Sequence, residues 1–236
     1  MPSFERRAML RGTGAAVAAV LAASALPASA ETASMPRKPG TYDVMKLPFD
    51  PQKIKGMSEK ILLSHYQNNY TGAVKRLNQI AEQLAALDFA RAPTFIVNGL
   101  KREELIAANS MILHEIYFSG LGEESAPGAA LASAIARDFG SMYHWQAEFV
   151  ATGKALGGGS GWVILTYDPR DKRLLNSWAA DHTMGLAGGT PLLVLDMYEH
   201  AYQMDYGAKA PAYIDAFMHA VRWANADRLF EHASRL

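Results

Sequence analysis

The sequence predicts an α+β fold: an N-terminal helical hairpin, then a C-terminal region in which a small three-stranded antiparallel sheet packs against helices. Three observations carry this. Leu62, Tyr66, Tyr70, Val74, Leu77, Ile80, Leu84 and Leu87 recur at intervals of three and four, the spacing of one buried helical stripe. A second helical stretch, LKREELIAANSMILHEIYFSGLG, is apolar on nearly every side in its latter half. Strand-like runs come only afterwards, in GSGWVILTYD, KRLLNSWA and PLLVLD. Helices first and a few strands later is the order of an α+β chain rather than of alternating βαβ units.

Residues 1–30 read as a signal peptide. Arg6, Arg7 and Arg11 precede GTGAAVAAVLAASAL, 15 residues without charge, and Ala28-Ser29-Ala30 supplies a small-residue cleavage site. The apolar stretch is short for a membrane span, so no anchor is expected after cleavage. Arg6-Arg7 with Leu10 resembles a twin-arginine signal, which implies the twin-arginine export machinery as a partner and export of the folded protein, to the periplasm or fully secreted. An ordinary secretory signal with a chance Arg pair is the alternative.

Residues 31–57, rich in Pro, Lys and Gly, read as an extended arm. Residues 58–121 form the helical-hairpin domain. Ser58 is a candidate N-cap for one long helix, APTFIVNG interrupts it, and the helix from Leu100 follows. Residues 122–236 form the C-terminal α/β domain. ALASAIARDFG and SMYHWQAEFVATGKAL are shorter helices, and Asp168-Pro169-Arg170-Asp171 is the turn of a β-hairpin. PLLVLD is a strand buried on both faces, and helical patterns close the chain.

Composition narrows the chemistry. Twenty-three acidic residues balance 23 Lys and Arg, with no basic run and no nucleic-acid-binding motif, so nucleic acid is not an expected partner. The chain has no cysteine. Disulfide frameworks, thiolate metal sites and iron–sulfur clusters are therefore excluded, and a metal site must use His and carboxylate.

PLLVLDMYEHAYQMDY concentrates the question. An apolar run ends in Asp196, and His200 follows four residues later. If the chain turns helical there, both side chains share one face and can hold one ion. The same spacing also fits a helix N-cap Asp beside a hydrogen-bonded His. His65 and His114 lie on the apolar faces of the two long helices; with Asp196 and His200 they could give three neutral nitrogens and one carboxylate to Fe, Mn or Zn. A di-iron carboxylate bundle needs Glu-x-x-His pairs, and no Glu here has a His three residues later.

Several motifs in order resemble the iron/manganese superoxide dismutases. DMYEHAYQMDY resembles the family's DxWEHAY signature, SHYQNNYTGAVKRLN its first-ligand helix, ILHEIYFSGL its NHxxFW segment, FGSMYHWQAEF its FGSxxxFxxxF helix and GGSGWVIL its GSGWxWL strand. The resemblance spans nearly the whole mature chain. It implies dismutation of superoxide to dioxygen and hydrogen peroxide at one Fe or Mn ion held by His65, His114, Asp196 and His200, in a homodimer or homotetramer. The alternative is a dismutase-fold protein whose metal site is structural or for storage.

The residues around the ligands depart from the family's pattern. One usual Gln position is Ser110 here; at the other, AADHTMG offers His182 as the partner of metal-bound solvent, a surface-loop His being the alternative. The gateway His falls on Asn69 and the gateway Tyr on Ala73. Tyr70 lies five residues from His65, about 140° around an α-helix, so proton delivery through Asn69 and Tyr70 should differ from the usual route. Trp162 and Tyr198 would wall the site, Tyr198 standing where the family has Trp. The resemblance gives Glu199 a dimer-bridging role, reaching the last His ligand of the partner chain, whereas Glu at a helix start can equally stabilise the dipole.

Overall fold

The structure is a computed structural model and describes residues 41–235. The expected signal peptide, and residues 31–40 of the arm, lie outside that range. Among the described residues no helix is long and apolar enough to cross a membrane.

Residues 41–57 pack onto the fold rather than extending from it. Met45, Leu47 and Phe49 lean on the core, Ile54 and Met57 are buried, and one 3-10 turn spans Pro51–Lys53. Helix α1 (Glu59–Ser64) starts at the expected cap, Ser58 Oγ accepting from Ile61 N–H at 3.1 Å. The expected single long helix is interrupted: His65–Tyr70 form a π-helical segment before α2 (Thr71–Ala85). Local side chains stabilise this wider turn, since Asn68 Nδ2 donates to Ser64 C=O and Thr71 Oγ1 to Tyr66 C=O.

Helix α3 runs Thr94–Ser119, six residues earlier than the sequence reading placed its start. Pro93 fixes its own φ at the helix entrance, and its C=O accepts from Val97 N–H, so TFIVNG joins the helix instead of breaking it. Extending an existing helix costs far less than nucleating one, which carries Gly99 and the β-branched residues along. α2 and α3 pack as the expected hairpin.

α4 (Ala129–Phe139) and α5 (Met142–Ala155) precede β1 (Trp162–Asp168), β2 (Arg173–Ala179) and β3 (Thr190–Asp196). The sheet is antiparallel with order β2-β1-β3. Central β1 is buried throughout. Trp162 and Ile164 face Leu113 and Ile116 of α3, while Val163, Leu165 and Tyr167 join the main core. That core also takes Leu62 and Ile80 from the hairpin and Phe217 from α7 (Ala210–Met218), so hairpin and sheet share one interior. α6 (Gln203–Tyr206) precedes α7, and α8 (Ala224–Ala233) closes the chain.

Register aligns the site. Trp162 pairs with Ala179 on one side and Asp196 on the other. The start of β1 and the ends of β2 and β3 therefore meet at one end of the sheet, under α3.

Candidate metal centre

Four elements converge there. His65 comes from the π turn, His114 from α3, Asp196 from the last position of β3 and His200 from a 3-10 turn (Glu199–Ala201). Their candidate ligand atoms all lie within 4.8 Å of one another. The Nε2 atoms of His65 and His200 each stand 3.1 Å from Asp196 Oδ2, and His114 Nε2 stands 3.6 Å away. His65, His114 and Asp196 are essentially sealed from solvent; the His200 side chain keeps 25% exposure and forms the open edge. Asp196 and His200 do share a face, though through a strand end and a 3-10 turn rather than the α-helix expected. An Asx-type bond, Tyr198 N–H to Asp196 Oδ1 at 2.8 Å, turns the chain between them.

The donor set fits a cation. Ser110 C=O can only accept, so the 2.6 Å contact from His114 Nδ1 puts the proton on Nδ1 and leaves Nε2 with its lone pair. That lone pair faces a carboxylate oxygen. His65 Nε2 and His114 Nε2 are both buried without a hydrogen-bond partner, His65 despite its closeness to Asp196. Unpartnered polar atoms in a dry interior cost roughly 1–3 kcal/mol each, and a shared ion relieves all of them together. Burial lowers the pKa of His65 and takes that of His114 down to about 3. Burial alone would raise the Asp196 carboxyl, but His200 and then His65 outweigh it and hold it well below the usual carboxylate range. The cluster can therefore present neutral imidazoles and one carboxylate to a single metal ion.

The surrounding residues divide. Trp162 Nε1–H donates to His182 Nδ1 at 3.0 Å, which leaves neutral His182 with its proton on Nε2. Asn109 Nδ2 donates to His182 C=O, so this residue is anchored against α3 rather than free in a surface loop. Tyr198 is sandwiched between His182 and His200, with centroids 4.9 and 5.3 Å away and planes within 17° and 14°. Trp162 meets His114 edge-on at 5.1 Å. Both aromatics thus stand as walls.

Tyr70 departs from its expected placement. In a π turn the fifth residue comes back toward the first, and Tyr70 is buried beside His114 rather than turned away. Its hydroxyl accepts from Met45 N–H and donates to Glu115 Oε1, and burial pushes its pKa up to about 12. Asn69 is half-buried on the same turn, and Glu199 is exposed. Met45, Asn109 and Glu115 escaped sequence reasoning, since none carries a spacing signal.

Comparison with known proteins agrees with this geometry. Residues 127–229 match the family described as iron/manganese superoxide dismutases, C-terminal domain. The chain is 63% identical over 194 residues to a superoxide dismutase [Fe] of Cupriavidus metallidurans, covering 82% of this chain and 98% of that one. It is 36% identical over 193 residues to a superoxide dismutase [Fe] of Aquifex pyrophilus, covering 78% and 89%. A superoxide dismutase [Mn] 1 of Halobacterium salinarum is 33% identical over 199 residues, covering 82% and 96%.

Proposed function

The chain belongs to the iron/manganese superoxide dismutases, and we propose that it carries out that family's reaction, converting superoxide to dioxygen and hydrogen peroxide at a site built by His65, His114, Asp196 and His200. The observation that carries this reading is the pair of unpartnered, buried Nε2 atoms aimed at one carboxylate. When bound, an Fe or Mn ion supplies one-electron redox chemistry, oxidising one superoxide and reducing the next.

The chain's own residues do the rest. One carboxylate among three neutral imidazoles undercompensates a di- or trivalent cation, so the centre attracts a small anion. Ser110 C=O orients His114, and Tyr198 N–H holds the second oxygen of Asp196. Such partners fix ligand orientation and tune redox poise. Reduction of superoxide needs two protons, which come from solvent; His182, its tautomer fixed by Trp162 and its plane by Tyr198, keeps Nε2–H as the donor that would orient that solvent at the site. Asn69 on the π turn and Ala73 in the first turn of α2 offer no phenol or imidazole, so proton delivery rests more heavily on the solvent that His182 orients.

The mature protein is exported after cleavage at Ala30 and works as a homodimer in which exposed Glu199 reaches His200 of the other chain. The basic, apolar and small-residue order of residues 1–30 supports the first statement, and the place of Glu199 one residue from His200 supports the second. The test is metal analysis of the purified mature protein beside a superoxide dismutation assay, each repeated after reconstitution with Fe and with Mn. His200→Ala should keep the fold and lose activity. Bound metal without superoxide-dependent cycling would instead favour a structural or storage site.

A further inference from the structure

The segment before α1 is fixed to the ligand-bearing helices at one residue. Met45 N–H donates to Tyr70 Oη at 2.7 Å, and Tyr66 Oη donates back to Met45 C=O at 2.8 Å. Ser119 Oγ approaches Met45 Sδ at 3.8 Å. Both tyrosines belong to the π turn that begins with His65. Tyr70 Oη–H in turn donates to Oε1 of Glu115, the residue next in sequence to His114, at 3.0 Å. The Phe118 ring sits among all of these, with centroids 5.0 Å from His65, 5.8 Å from Tyr66, 6.2 Å from Tyr70 and 6.3 Å from His114.

A π turn holds one residue more than an α-helical turn and is rare without a reason in its surroundings. Relaxation to α-helix would rotate His65 relative to α2 by about 100°, far enough to carry Nε2 out of the cluster. Asn68 and Thr71 contribute local bonds, whereas Tyr66 and Tyr70 join His65 in reaching outside the turn, they to the segment before α1 and His65 to Asp196. Residues four apart lie on one side of the turn, so these two hydroxyls grip both backbone polar groups of Met45 and resist rotation of the His65 end of the turn against Tyr70.

We propose that Tyr66 and Tyr70 are positioning residues for His65: by clamping Met45 between them they hold the π turn open, which makes residues 41–47 a strap of the metal site. The inference rests on the metal-centre reading above. It gives this segment a part in metal retention, although the backbone hydrogen bonds of Met45 go to Tyr66 and Tyr70 rather than to a candidate ligand.

The test uses the full chain loaded with iron. Tyr66→Phe/Tyr70→Phe removes both hydroxyls and keeps both rings; if that variant fails to fold, the single variants carry the same comparison. The control is Asn78→Ala. Asn78 holds the same strap at Tyr42, by Tyr42 N–H to Asn78 Oδ1 at 2.8 Å and Asn78 Nδ2 to Tyr42 C=O at 2.9 Å, away from the π turn. Loss of partners around metal ligands costs roughly 10–100-fold in affinity, so the double variant should release iron to a chelator about tenfold faster or more. Its ferric electron paramagnetic resonance spectrum should change shape, while Asn78→Ala moves neither readout. Wild-type release and spectrum in the double variant would overturn the proposal, as would equal effects from Asn78→Ala. A wild-type chain that takes up no iron would overturn the metal-centre reading itself, and the inference with it.

Discussion

Acidification of the metal-free protein gives a quantitative prediction. His114 is 1% exposed, and burial takes its pKa from an ordinary 6.5 to about 3. A group with a depressed folded pKa leaves the unfolded chain binding more protons, so stability falls as pH falls. The window opens at 6.5, where the unfolded imidazole charges, and closes near 3, where the folded one finally does. One pKa unit corresponds to about 1.36 kcal/mol. At pH 4.5 the unfolded side chain has titrated through two units that the folded one resists, a loss on the order of 3 kcal/mol from His114 alone. His65 is shifted in the same direction by the same cause and adds to the slope. Asp196, held low, contributes only below its unfolded value of 3.8 and leaves the pH 4.5–6.5 interval to the histidines. The assay is urea unfolding of the metal-free chain at half-unit pH steps, wild type against His114→Gln. The variant removes one titrating group and leaves every other proton-binding residue in place, so its curve should be shallower by up to about 1.36 kcal/mol per pH unit in this interval. Parallel curves for the two proteins would refute the claim that His114 is held neutral by its dry surroundings.

Three further outcomes follow from the same geometry. Asp196→Asn keeps the size of the side chain but removes the only carboxylate of the cluster, so iron affinity should fall by more than the roughly 10–100-fold that losing an outlying partner costs; unchanged affinity in a chelator competition would contradict the site. Trp162→Phe removes the donor to His182 Nδ1 and frees the imidazole to change tautomer. Turnover should fall about tenfold at unchanged metal content, and full turnover would show that this bond does not matter. Gly161 has φ +137°, and a Cβ there would come within 2.1 Å of Ala179 C=O, while its own C=O accepts from Met197 N–H. Gly161→Ala should destabilise the protein by about 3 kcal/mol, read as a lower urea midpoint; a wild-type midpoint would mean the β1–β2 junction is slacker than its geometry.

The legible parts of this molecule are those where one residue type answers to one physical requirement. Periodicity located the helical hairpin, because one-sided burial marks every third or fourth residue, and apolar runs bounded by turn residues located the three strands. The candidate ligands were legible because His and Asp on otherwise apolar faces need a partner there. The start of α3 was not, since TFIVNG has the composition of a break and only the helix behind it makes it helical. Nor was the π turn: SHYQNNY reads as ordinary helix, and its extra width depends on Met45, some twenty residues upstream.

That single hidden residue of width changes what the same letters mean. On an α-helix Tyr70 would face away from His65 and could be set aside; on the π turn it packs beside His114 and reaches Met45. The i, i+4 pair at Asp196 and His200 makes the complementary point. Its side chains meet, although the chain between them is a strand end, an Asx-type bond and one 3-10 turn. Ligand identity survives such changes of local path because it is set by chemistry and burial. The supporting contacts do not survive them, because they are set by which atoms the path happens to bring within 3 Å. Variation around this site should therefore be read from the path of the backbone, with Tyr66, Tyr70 and Met45 considered together with the histidine they enclose.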